Sequence, residues 1–187
     1  MFNTVIKLQN NNHYDIEVTL NEERLQYLFA SIGNSTIIKA IEYSPITLLG
    51  NRVVYNLGFG DYDEESKTII DNINSNNGDM YTVFNTVLHT VPLFFESKPD
   101  CVLYVCGSDS TENFKESCLP FCEKKCNEFC KKENQRIKTY RYFVDKNFEN
   151  LSNNYIFFGK NRTANNTFVQ YVPGHEYHDI LVYKKNN

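Results

Sequence analysis

Between residues 80 and 91 the apolar side chains Met80, Val83, Phe84, Val87, Leu88 and Val91 recur every three or four positions, the repeat of one buried helical face. Asn77 and Asp79, in "SNNGD", offer the acceptor that a first-turn N–H needs, and Pro92 is expected to end or kink the helix. Ahead of it, residues 24–33, 35–44 and 52–60 are dense in β-branched and aromatic residues and are punctuated by Gly33-Asn34, Pro45 and Gly50-Asn51. Their short connections predict antiparallel neighbours. "CVLYVCG" (101–107) is a continuous apolar run of strand length, as in a strand covered on both faces. A second helix is expected from the caps at Ser108–Thr111 to about Glu133, followed by strands at 139–145, 154–160, 167–172 and 177–185. This order predicts one α+β domain, 1–187, with a mixed, mainly antiparallel sheet packed against two principal helices.

With 41% apolar and 22% charged residues over 187 positions, the composition is globular. The net charge of −4 argues against a dominant nucleic-acid or anionic-membrane surface. No run approaches the ~20 apolar residues of a membrane span, and "MFNTVIKLQNNNHYDIE" lacks the basic-then-apolar order of a signal peptide. The expectation is a cytoplasmic chain whose six cysteines are reduced.

Four of those cysteines, Cys118, Cys122, Cys126 and Cys130, fall at every fourth position of "ESCLPFCEKKCNEFCKKE". On a continuous helix they span ~18 Å along the axis, too far to surround one ion at the ~2.3 Å of a Zn–S bond. With Phe114, Phe121 and Phe129 they read instead as an apolar stripe in which reduced cysteine packs as a small hydrophobe. Metal binding and redox chemistry are the lesser readings, and none is assigned. Pro120 leaves two arrangements open: a kinked helix from Thr111, or a helix that starts after Leu119 and excludes Cys118.

Other candidate chemistry is local. Asn76, Asn77 and Gly78 precede a helix, where backbone N–H groups bind anions, although Asp79 places a negative charge at the same spot. Asp61 ends a strand and heads the acidic run Asp63, Glu64, Glu65, which reads as a solvated turn. Gly107, Ser108 and Ser110 form a strand-to-helix turn without the Gly-x-Ser-x-Gly pattern of a nucleophile elbow. Lys124, Lys125, Lys131, Lys132 and Arg136 make a candidate basic patch, interleaved with glutamates as on a solvated helix face. His89 reads as a surface or boundary residue, and His175 and His178, three apart, would on a strand point to opposite faces.

The segments "YNLGFGD" (55–61), "SNNGD" (75–79), "VFNTVLHTV" (83–91), "YVCGSDS" (104–110) and "EYHDILVYKK" (176–185) resemble a family of small uncharacterised bacterial proteins defined by a domain of unknown function. The resemblance spans about 24–185. The same order is similar, more distantly, to acetyltransferase-like phage and plasmid proteins, which implies an acetyltransferase-like topology. Those proteins carry a Ser-x-x-Arg and Leu-Tyr pattern after the Gly-Ser turn; "GSDSTENFKESC" has neither the Arg nor the Tyr. The pyrophosphate loop Arg/Gln-x-x-Gly-x-Gly/Ala is also missing from the sequence. The functional expectation is a non-catalytic bacterial accessory protein that binds a protein partner. An acyl-coenzyme A dependent acyltransferase relative with an altered site is the first alternative, and a nucleic-acid-binding or toxin/defence-associated protein the second. No catalytic residue, cofactor or metal is assigned; a membrane is excluded as partner, nucleic acid ranks below protein, and the oligomeric state is left open.

Overall fold

Strands that pair with their immediate chain neighbours account for most of the first half of the chain. The computed structural model describes residues 12–20, 24–70, 76–111, 113–122, 124–126 and 130–185. It is an α+β fold of mainly antiparallel strands with three α-helices among the described residues, in two compact units, 1–102 and 103–187.

In the first unit β1 (Glu17–Leu20), β2 (Leu25–Ile32), β3 (Thr36–Leu49), β4 (Arg52–Asp63) and β5 (Thr68–Ile70) form an antiparallel meander. Along β2, Leu25, Tyr27, Phe29 and Ser31 are buried at alternate positions, the period of a strand with one covered face. Gly50, at φ +60°, supplies the left-handed residue of the two-residue β3–β4 hairpin. β3 runs through Pro45 instead of stopping there, because a bulge between Pro45 and Thr47 absorbs the missing donor.

Helix α1 (Met80–Ser97) covers this sheet with Val83, Thr86, Val87, Thr90, Val91, Phe94 and Phe95. The buried face is rotated from the one the apolar spacing predicts: Met80 is exposed and two threonines are inside. Thr86 and Thr90 are tolerated because their hydroxyls donate to the carbonyls of Thr82 and Val87, both at 2.7 Å. Pro92 does not end α1; Phe94 and Phe95, both fully buried, hold the last turn against the unit's core.

The second unit takes the strand order β6 (Val102–Cys106), β9 (Asp179–Lys184), β7 (Tyr155–Asn161), β8 (Asn165–Gln170), with β7 antiparallel to both β8 and β9. Its principal helix is α3 (Gln135–Asn154), not the segment 108–133. That segment instead divides into a 3₁₀ turn (Ser108–Ser110), a short helix α2 (Phe114–Cys118) and a second 3₁₀ turn (Leu119–Phe121) led by Pro120. The continuous cysteine helix is therefore corrected, and Phe129 of its expected stripe lies outside the described residues. The strand expected at 139–145 is also corrected: its aromatic density belongs to α3, which buries Ile137, Tyr140 and Phe143 at helical spacing. Gly159 of β7 sits where an added Cβ would come within 2.3 Å of the Tyr177 ring, so the ring lies directly on the strand backbone. Among the described residues no helix is long and apolar enough to cross a membrane.

Candidate functional site

In the second unit three polar side chains, from β6, β7 and the turn after β7, converge on one carboxylate of β9. Asp179 opens β9 and is fully buried. The Tyr104 hydroxyl donates to its Oδ1 at 2.6 Å, the Arg162 Nε donates to its Oδ2 at 2.9 Å, and a second Arg162 nitrogen donates to Oδ1. Lys160, its cross-strand neighbour in the β7–β9 register, brings Nζ to 3.2 Å from Oδ2. This is a bidentate guanidinium–carboxylate pair completed by a phenol and an ammonium. Burial alone would push the Asp179 carboxyl up, but the hydrogen bonds from Arg162 and Tyr104 and the neighbouring positive charges outweigh it, so the carboxyl is held below its ordinary value. Tyr104 is raised by burial and by its bond to Asp179, and Arg162 is raised chiefly by that same carboxylate. Asp179, Tyr104 and Arg162 are thus each held in a single protonation state across the neutral range.

The two cations reach solvent although the carboxylate does not. The Lys160 and Arg162 side chains are 22% and 27% exposed, and with Thr111, Asn113 and Asn166 they line an open recess of about 460 Å³. Its charged side chains carry two positive charges against the single buried negative one. Arg162 also donates to the Ser110 carbonyl, so three of its five N–H donors are engaged among the described residues.

The Gly107–Ser110 turn stands beside this cluster. Gly107 leaves room for Asp109, whose Oδ1 would be 2.4 Å from an added Cβ. Ser110 is buried, and Ser108 is exposed. Asp109, expected as a cap of a helix over 108–133, serves α3 instead: its Oδ2 accepts from the Arg136 N–H at 2.9 Å and its carbonyl accepts from Asn134 N–H at 3.1 Å. It therefore satisfies a first-turn donor of α3 from outside the helix. Burial pushes the Asp109 carboxyl up against the opposing pull of the Arg136 N–H.

In the first unit the other candidate residues are engaged in internal bonds. Asp61 pairs with the buried Lys39 ammonium at 2.5 Å. Asn76, at φ +42°, gives its carbonyl to the Asn34 side chain. Asn77 is buried, donates to Ser31 Oγ at 2.9 Å and accepts from the Ser35 N–H at 2.9 Å. Gly78 takes φ +83°, a conformation open to it because it lacks a Cβ. Asp79 occupies the N-cap position but makes no side-chain capping bond; its Oδ2 accepts from the Tyr14 and Ser31 hydroxyls, both at 2.6 Å. Desolvation raises the Asp79 carboxyl, yet those two bonds prevail and leave it below its ordinary value. Asp63 closes the β4–β5 turn by accepting from Glu65 N–H and Ser66 Oγ, as expected of a solvated turn. Ser31→Ala should cost about 1–3 kcal/mol, because the fully buried Ser31 joins Asn77 to Asp79 and its loss leaves both short of a partner. Urea denaturation checks this, and a cost near zero would show the network to be dispensable.

Lys124, Lys125 and Lys131 are exposed, Lys132 is half-buried, and Arg136 lies in the first turn of α3; the candidate basic patch follows a turning loop, not one helix face. His89 stacks on His13 with ring centroids 4.1 Å apart, and burial followed by the His13 charge lowers its pKa. His178 accepts from the Arg162 N–H at 3.3 Å, next to the Asp179 cluster.

Sequence reasoning singled out the turn at 107–110 and the "EYHDILVYKK" segment but assigned no role to Tyr104, Lys160, Arg162 or Asp179. A usable signal was present: Asp179 is the one acidic residue of the closing strand and precedes the apolar run Ile180–Val182, and a lone carboxylate there requires a cation partner.

The fold and this cluster define an α+β protein with a cationic recess above a buried carboxylate. The chain belongs to DUF6934, a family of unknown function, whose profile matches residues 10–113, from the first unit to just past the Gly107–Ser110 turn. No curated protein matches the chain, and no solved structure matches it.

Proposed function

We propose that this protein is a non-catalytic binding protein whose second unit receives an oxyanion, a carboxylate or phosphate group borne by a protein partner, in the recess over Lys160 and Arg162. The observation that carries the reading is the convergence of two partly exposed cations on one fully buried carboxylate, with Thr111, Asn113 and Asn166 supplying neutral polar walls. Asp179 orients the guanidinium and leaves the site a positive excess, so an incoming anion meets donors already aimed and desolvated on one side. The protonation states favour binding over proton transfer. Tyr104 stays a phenol, Asp179 stays a carboxylate and Arg162 stays a cation, so none of these three titrates near neutral pH as a general acid or base must.

The test is a titration of the full chain with inorganic phosphate and, separately, with acetate, followed by amide chemical-shift changes. Saturable shifts are expected at Lys160, Arg162 and Thr111, weakening at least about tenfold in Lys160→Glu, where a like charge faces the ligand. Chloride at equal ionic strength should not reproduce them. Shifts that scale with ionic strength alone, or that persist unchanged in Lys160→Glu, overturn the reading.

A further inference from the structure

Strand β8 ends the sheet order and pairs only with β7 among the described residues. Its outer edge there presents backbone N–H and C=O groups without a ladder partner. Residues 166–170 are all exposed, and they include Phe168 at 36% and Val169 at 48%, which project from opposite faces. The strand sequence "NNTFVQ" contains none of the charged residues or prolines that commonly keep an edge from pairing.

This edge adjoins the cationic recess. Phe168 lies opposite Lys160, and Lys160 lies opposite Asp179, so the three form one row across β8, β7 and β9. Lys160 Nζ stands 5.0 Å from the Phe168 ring centroid while it contacts Asp179. Past Lys160 and Phe168 the register moves directly to Asn161 opposite Asn165, which leaves Asn166 and Thr167 as a bulge on β8. Bulges re-aim side chains, and Asn166 lines the recess. The regular edge that remains begins at Phe168 and continues to Tyr171, whose N–H donates to the Phe157 carbonyl at 2.9 Å.

From the open edge and the recess beside it, we infer that β8 accepts an extended segment of a protein partner as an added strand, with a glutamate or aspartate of that segment seated on Lys160 and Arg162. The inference rests on the oxyanion reading of the recess and adds the backbone that delivers the anion. In such strand addition the main-chain hydrogen bonds supply affinity and pockets for alternate side chains supply specificity. Here the acidic side chain enters beside Asn166, and an apolar one two positions along covers Phe168. Charge selects the carboxylate: the recess holds two cations against one buried carboxylate, a surplus that one carboxylate neutralises and a phosphate dianion exceeds. Charge also argues against a second copy of β8 as the occupant, because residues 161–174 contain no acidic side chain to fill the recess.

The experiment is a titration of the full chain with the capped peptide Thr-Val-Glu-Thr-Val-Thr and with its glutamine and phosphoserine counterparts at the third position. Saturable amide shifts are expected at Lys160 and Arg162 together with slowed hydrogen exchange along Phe168 to Gln170. The glutamine peptide should bind at least about tenfold more weakly, since it leaves the cations unpaired. N-methylation of one alternate set of peptide amides should abolish binding and of the other set leave it, because only one set faces the edge. If acetate shifts the recess but the peptide binds no more tightly than acetate, strand addition is overturned and the oxyanion reading stands; silence towards both overturns the two together. Equal binding of the glutamine peptide, tighter binding of the phosphoserine peptide, or indifference to which amides are methylated each overturns the inference. So does a chain that sediments as a dimer with Phe168 to Gln170 already protected, which assigns the edge to a second copy.

Discussion

Asp179→Asn is expected to cost about 3–5 kcal/mol and to do so in the second unit, because it leaves two cations around a buried site without their counter-charge. The asparagine matches the carboxylate in shape and keeps one acceptor, but its amide nitrogen meets Arg162 or Lys160 donor to donor. The large figure applies because Asp179 is fully buried and receives four contacts from three residues. Exposed pairs such as Arg24–Glu42, by comparison, contribute about 0–1 kcal/mol. The pH dependence has a defined sign. Since the folded carboxyl titrates below its unfolded value of about 4, its contribution is complete above that value and is lost as the pH falls through the folded pKa. The wild-type protein should therefore lose stability on the acid side of about pH 4, and this limb should be flatter in Asp179→Asn. Denaturant unfolding across pH, with hydrogen exchange at β7 and β9 to place the effect, measures both. A loss below about 1 kcal/mol at neutral pH would mean that water or a rearranged Lys160 replaces the carboxylate, and the case for a preformed oxyanion site would weaken with it.

What was legible in the sequence follows the distance over which each feature is determined. β2, β3 and β4 were readable because alternation and turn chemistry act within a few residues: Gly50-Asn51 closes its hairpin where the pattern predicts. Helix α3 was not readable, since "TYRYFVD" has the residue types of a strand, and the helical start depends on Asp109, twenty-seven positions upstream of Arg136. Position along a helix was the wrong coordinate for the cysteines, because Pro120 and the left-handed residue at Lys125 break the periodicity on which the ladder argument rested. The candidate site was the least legible feature. Tyr104 and Asp179 are separated by 75 positions and Arg162 and Ser110 by 52, and nothing in the local composition of either segment announces its partner. Tyr104, Lys160 and Asp179, on three different strands, and Arg162, on the turn after β7, are gathered by tertiary structure into the site, whereas the local patterns that sequence reveals define the scaffold.

The scaffold of the first unit rests on an aromatic cluster at the end of α1, and Phe94→Ala should remove about 3–5 kcal/mol from it. Phe94 is fully buried, stacks on Tyr43 with centroids 4.4 Å apart, and meets the edges of Tyr55 and Phe95 at 5.3 and 5.0 Å. Truncation forfeits the transfer free energy of the ring and three aromatic contacts, and opens a cavity whose walls are large side chains slow to collapse. Tyr43 cannot readily swing in, because its hydroxyl is fixed at 2.8 Å from Thr90 Oγ1 on the same helix. Phe94→Leu supplies the internal scale. It restores most of the volume without the ring geometry, so its cost should be well under half that of the alanine variant. The two substitutions, compared by urea midpoints at constant m-value, separate stacking from simple filling. If leucine and alanine cost the same, the ring contacts and not the buried volume hold α1 to the sheet. If both are nearly silent, the helix end must be held by its remaining buried face, Val83 to Val91, and the cluster is not the anchor that its burial indicates.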